Sequence, residues 1–165
     1  MLLTENGALE DDSWRHLEDD EAAPEGDPIT VSLARWRKSG ADLRGRNGKL
    51  GLRLPNDAEP EEIAAELDRL DLIVLSFPKF TDGRAYSQAR LLRERHGYKG
   101  ELRASGNVLR DQLLFMRRCG FNSFIVGARA VRENWAAAFG EFDVFYQRAL
   151  DNRPWVMRQR IAKAH

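Results

Sequence analysis

Three segments place basic, hydroxyl and amide side chains directly after short apolar runs. Phe77–Arg84 carries Lys79, Thr81, Asp82 and Arg84; Ser105–Arg110 carries Ser105, Asn107 and Arg110; Gly127–Arg132 carries Arg129 and Arg132. Loops of this kind lie beyond the carboxyl ends of strands, where α/β proteins bind ligands. Each feeds a helix N-terminus, whose free N–H groups and dipole favour an anion. Arg103, in the run before Ser105, would add a forked donor for a carboxylate, phosphate or sulfur oxyanion. The residue types thus describe an anion-recognising basic pocket. Asp82 and Asp111 would partner its bases, and Tyr86, Ser87 and Gln88 would supply further hydrogen bonds. A structural role competes at each position. Asp82 and Asn107 suit helix caps, Lys79, Arg84 and Arg110 suit an exposed surface, and Tyr86 suits a core. Arg103 could pair with Glu101 or Asp111 and fix the sheet.

Cys119 stands in Arg117-Arg118-Cys119-Gly120, a weak candidate for redox chemistry. Neighbouring cations lower a thiol pKa, but a helix C-terminus opposes them, and a buried packing role is the stronger expectation. The sequence contains no G-x-x-x-x-G-K-[ST], no G-x-G-x-x-G after a strand and no G-x-S-x-G. Phosphate-loop, dinucleotide and serine-hydrolase sites of those types are therefore not signalled. His16, His96 and His165 are far apart and there is one cysteine, so neither a zinc site nor four-thiolate iron–sulfur ligation is expected. The expectation is no metal and no cofactor. Any redox centre would come from a partner.

The elements that must position these residues read as alternating strands and helices. Ile29–Leu33, Leu50–Leu54, Leu72–Phe77, Glu101–Ser105, Phe121–Val126 and Phe142–Tyr146 read as strands, with a polar region from Arg35 to Gly48. Helices are expected after Pro60, with Ile63, Leu67 and Leu70 on one face; after Asp82, with Ala85, Ala89 and Leu92; after Asn107, with Leu109, Leu113 and Met116; and around Val131, Trp135 and Ala138. Short connections between alternating elements predict an α/β domain with a mainly parallel sheet. An open sheet covered by helices on both faces is the default. The alternative is an incomplete (β/α) barrel. Arg53 and Arg103 favour the barrel, because a doubly covered sheet has little room for mid-strand arginines.

The chain has 165 residues, 42% hydrophobic and 32% charged, enough for one domain with a true core. Lys+Arg and Asp+Glu are both 26, which gives no general reason to expect nucleic acid or an anionic membrane as partner. No apolar run approaches the ~18–20 residues of a membrane span, the N-terminus does not read as a signal peptide, and one cysteine suits a reducing compartment. A cytoplasmic protein is expected. Charge is uneven along the chain, with nine acids against Arg15 between Glu10 and Asp27. The expected organisation is an acidic, mobile arm over 1–28, an α/β domain over 29–147 and a basic tail over 148–165. Trp14 and Leu17 could anchor the arm.

FPKFTDGRAYSQARLLR, from Phe77 to Arg93, and GELRASGNVLRDQLLFMRRCGF, from Gly100 to Phe121, are long and specific. They resemble a bacterial family catalogued as domain of unknown function 934, whose members are often labelled oxidoreductases involved in sulfite reduction. The resemblance runs from about Ile29 to about Tyr146. It implies a place in assimilatory sulfur metabolism, beside the sulfite or nitrite reductase haemoprotein, and carries no catalytic residues to transfer. The leading expectation is an accessory protein that docks on that haemoprotein. The runner-up is a small oxidoreductase or anion-binding protein for a sulfur oxyanion or sulfonucleotide at the strand-end loops. A third reading is a ligand-free homo-oligomer using Trp36, Phe139, Phe142 and Trp155.

Overall fold

The computed structural model describes residues 1–141, 145, 146, 149, 150 and 156. Eight strands form one sheet: β1 (Leu2–Thr4), β2 (Leu9–Glu10), β3 (Arg15–His16), β4 (Ile29–Ser32), β5 (Leu50–Leu54), β6 (Leu72–Phe77), β7 (Glu101–Gly106) and β8 (Ser123–Ile125). Their order is β2-β1-β8-β7-β6-β5-β4-β3. Strands β3 to β8 run parallel, while β1 lies antiparallel to β2 and β8. The sheet is curled into a half-barrel with helices, the incomplete-barrel form of the α/β expectation.

One short connection shows why the sheet must curl. β2 and β3 occupy opposite edges, yet only residues 11–14 join them. From Glu10 to Arg15 an extended chain reaches at most ~17 Å. Eight strands laid flat at ~4.8 Å spacing would put their edges about 34 Å apart. The segment can span the gap only as a chord across the hollow of a curved sheet.

The alternation of side chains along the strands then separates two faces. Ile29, Val31, Leu50, Leu52, Leu54, Ile73, Leu75, Phe77, Leu102, Ala104 and Phe124 belong to one buried apolar cluster that also takes in the helices. The opposite face carries Thr30, Ser32, Arg53, Val74, Ser76, Glu101, Arg103, Ser105 and Ser123. Registers align Ser32, Arg53, Val74, Arg103 and Ser123 in one row. This second face is the concave one. Helices packed on a single face correct the default of a doubly covered sheet, and the polar face explains how mid-strand arginines are accommodated.

The helices are α1 (Leu33–Arg44), α2 (Arg84–Arg90), α3 (Leu113–Arg118) and α4 (Arg129–Arg132), with 3₁₀ segments at Pro60–Arg69, Arg110–Gln112 and Trp135–Gly140. α1 covers much of the stretch from Arg35 to Gly48 that was read only as polar. Ser32 caps it by accepting the Arg35 N–H at 3.0 Å, and Leu33, Trp36, Gly40 and Leu43 form its buried stripe. Trp36 is therefore core, as is Phe139, not the surface aromatics expected of an oligomer interface. Phe142 and Trp155 lie outside the described residues. So do residues 142–144 of the expected strand Phe142–Tyr146 and most of the basic tail.

Residues 1–28 were expected as an arm outside the domain. They instead supply β1, β2 and β3, and Leu17 is fully buried beyond β3. Asp12 misled because Arg103, its partner in the sheet, is distant in sequence. Among the described residues, no helix is long and apolar enough to cross a membrane.

Candidate functional site

The first two expected loops touch, with the Asn107 N–H donating to the Phe77 carbonyl at 2.8 Å, but Arg84, Arg110 and Arg129, one from each loop, are engaged by carboxylates. Arg84 is exposed and held by Asp82, with Nη2 to Oδ2 at 2.7 Å, while Asn56 Nδ2 donates to the same carboxylate at 2.7 Å. The Arg84 side chain, its backbone N–H and Asn56 together hold the Asp82 carboxyl at about 2, against desolvation. α2 starts beyond Gly83, so Asp82 anchors its approach through the Arg84 N–H at 3.2 Å. Arg110 pairs with Glu141, and Arg129 with Glu133 at 2.7 Å. Asn107 is exposed and caps nothing, since Leu109 stands at the start of the following 3₁₀ turn. Lys79, Thr81, Ser87 and Asp111 are exposed.

Tyr86 packs between Phe77 and Phe115, with ring centroids at 5.0 and 4.9 Å, and burial pushes its hydroxyl up to about 12. Gln88 is buried and donates to the Pro55 and Ala58 carbonyls at 2.8 Å, a structural tie. Gln112 donates to the Phe80 carbonyl at 3.2 Å. Cys119 is buried, and desolvation outweighs the help of Arg90 and Arg118, pushing its thiol up to about 11. Such a thiol is scarcely ionised near neutrality, which accords with the buried packing role.

Arg103 and Ser105 point to the real concentration of polar groups, the concave face. Arg103 is completely buried. Its Nη1 donates to both carboxylate oxygens of Asp12 at 2.9 Å, and its Nε and Nη2 donate to Glu101 Oε1 at 3.0 and 2.7 Å. The Ser123 hydroxyl also donates to Glu101 Oε1. On the other side Asp12 Oδ2 accepts from His16 Nε2 at 3.0 Å, and His16 Nδ1 lies 2.7 Å from Thr30 Oγ1. A carboxylate only accepts, so Nε2 carries a proton and Nδ1 accepts from Thr30 while the ring is neutral. Burial would raise the Asp12 pKa, but the Trp14 N–H, Arg103 and His16 together hold it below the usual value.

Beside this network, at the carboxyl ends of β4 to β7, lies a cavity of about 470 Å³. Ser32, Arg53, Ser76 and Ser105 give it polar groups, and Leu33, Leu54, Pro55 and Val74 give it apolar walls. The Arg53 guanidinium donates to the Leu17 carbonyl, and among the described residues no carboxylate pairs with it. Arg37 at the rim is paired with Glu62. A larger cleft of about 540 Å³ lies at the amino ends of the strands, beside Arg93 and Asn122. There Arg93 is committed to the Gly120, Tyr98 and Gly100 carbonyls at 2.7–3.0 Å, which braces loops and leaves little for a ligand. The carboxyl-end cavity is the candidate site, in keeping with barrels generally.

Sequence reasoning found Arg103 and Ser105, read Arg53 only as a sign of a barrel, and missed Asp12, His16, Ser32 and Ser76. The available signal was alternation: Glu101, Arg103 and Ser105 are polar at every second position of a central strand. Among the described residues there is no group of three or more His, Cys, Asp or Glu placed to hold a metal.

Fold and site together define an α/β half-barrel with a basic, hydroxyl-lined hollow at its strand ends. The family described as "Bacterial protein of unknown function (DUF934)" matches residues 51–156, well over half of the chain, and the protein belongs to that family. No curated protein matches it significantly.

Proposed function

We propose that the protein binds a small anion in the concave cavity, in the service of assimilatory sulfite reduction. Arg53 carries this reading: a half-buried arginine lines the cavity with no carboxylate partner among the described residues, alongside hydroxyls from β4, β6 and β7. A guanidinium so placed is a ready donor to a carboxylate or sulfur oxyanion, and the apolar walls suit a larger sulfonucleotide. The resemblance supplies the pathway.

Calorimetry of the purified protein with sulfite, sulfate, adenylyl sulfate and phosphoadenylyl sulfate tests this reading. Binding by one of them, weakened at least tenfold in Arg53→Ala with the circular dichroism spectrum retained, is expected. Silence from the whole panel, or equal binding by the variant, overturns it.

A second reading, an accessory protein docking on the reductase haemoprotein, is favoured by Phe80 and Phe115, 53% and 55% exposed. The Gln112–Phe80 hydrogen bond and the Phe115–Tyr86 ring contact join them into one region. Stoichiometric co-purification lost in Phe80→Asp and Phe115→Asp would select it.

A further inference from the structure

The Arg103 site has the construction of a ligand site already filled from within. Ser123 braces Glu101, and Glu101 engages Nε and Nη2, so the guanidinium is held in place by neighbours on its own and the adjoining strand. Nη1 alone faces the segment of residues 11–14, where it receives both oxygens of Asp12. Removing Asp12 would leave Arg103 charge-paired and oriented, with one aimed donor vacant. Arg103, Glu101 and Ser123 all fall within the family-matched residues 51–156, whereas Asp12 lies outside them. The segment is held chiefly through Asp12 itself, by Arg103, the His16 Nε2–H and the Trp14 N–H. Residues 11–14 carry no ladder hydrogen bonds, and Leu17, the nearest deeply buried side chain, lies beyond β3.

We propose that Arg103 is a compact-oxyanion site on the concave face, that Asp12 occupies it as an internal stand-in, and that residues 11–14 form a strap displaced when an external anion binds. This rests on the reading of the concave face as an anion site, and adds Arg103 as a second, deeper position beside Arg53. The ligand group is a carboxylate or a tetrahedral oxyanion, small enough to replace one side-chain carboxylate.

The test uses the full chain carrying Asp12→Gly, which vacates the space of the carboxylate. Thermal midpoints are followed against sodium formate and sodium sulfate, with ionic strength matched by sodium chloride. The expected result is a saturable rise with an apparent affinity at least tenfold tighter than in the wild type, where Asp12 competes. Preference for formate would mark a carboxylate site and preference for sulfate a tetrahedral one. A variant that responds no more than the wild type overturns the proposal. Should the variant not fold, the wild type decides. Formate or sulfate must then change the emission assigned to Trp14 by comparison with Trp14→Phe, and must speed amide exchange over residues 11–14. Absence of either change overturns it. The two readings fail separately. Loss of the Arg53-dependent ligand panel with the Arg103 response intact removes only the cavity function; the converse removes only the strap.

Discussion

Asp12 and Arg103 are 91 positions apart in sequence and meet through both carboxylate oxygens at 2.9 Å, with the arginine fully buried. The contact ties the chord between the two sheet edges to the middle of the sheet. It is a buried ionic contact beside an apolar core, so its energetics depend on which member is removed.

Arg103→Met leaves the Glu101 and Asp12 carboxylates without their shared cation, and is expected to cost roughly 3–5 kcal/mol, the range for breaking a buried pair. Asp12→Gly should cost clearly less, because Arg103 keeps Glu101. Combining Arg103→Met with Glu101→Gln should recover part of the larger loss. Urea unfolding of the four proteins gives these values directly, and equal losses for Arg103→Met and Asp12→Gly would contradict the asymmetry.

The same contact has a defined response to acid. The Asp12 carboxyl is held below its ordinary value of 3.8, so its proton binds more readily in the unfolded chain. Its stabilising contribution is therefore complete above that value and is lost as pH falls through the lower folded value. The difference in urea midpoint between wild type and Asp12→Asn should stay constant between neutrality and about pH 5 and shrink below about pH 4. A difference that vanishes near pH 6 would assign the effect to another group.

Gly106 ends β7 at φ +88°, and a Cβ there would stand 2.5 Å from the Phe77 carbonyl oxygen. Backbone strain and contact act together, and neither is relieved by turning a side chain. Gly106→Ala is expected to lower stability by about 1–3 kcal/mol, measured by chemical denaturation. The carboxyl-end cavity borders on the same strand at Ser105, so weaker ligand binding should accompany the loss.

The central parallel strands were legible because their apolar face is nearly continuous, as in Leu72–Phe77. The incomplete barrel was legible in Arg53 and Arg103, which need a face that helices leave free. α1 was not, because arginines and a lysine around Trp36 and a glycine at position 40 obscure the Leu33, Trp36 and Leu43 stripe. The N-terminal segment was misread for a different reason. Nine acids in a short stretch resemble a solvated arm unless Arg103 and Arg53 are known to face it, and that depends on strand order. The same dependence hid Asp12 and His16 from the candidate site, while Arg84 and Arg129, found from local spacing, pair with carboxylates two and four residues away.

The placement of β2 and β3 at the two margins of the sheet has a consequence for any attempt to work with a shortened protein. Both are two residues long, and they and β1 come from sequence before the family-matched region, as β4 does. A fragment trimmed to residues 51–156 would end its sheet at β5 on one side and β8 on the other, baring backbone donors and acceptors that the intact chain covers. Unpaired strands of that kind invite neighbouring molecules to add on, and the fragment should aggregate more readily than the whole chain. The acidic first quarter of the sequence thus also acts as a guard against self-templating.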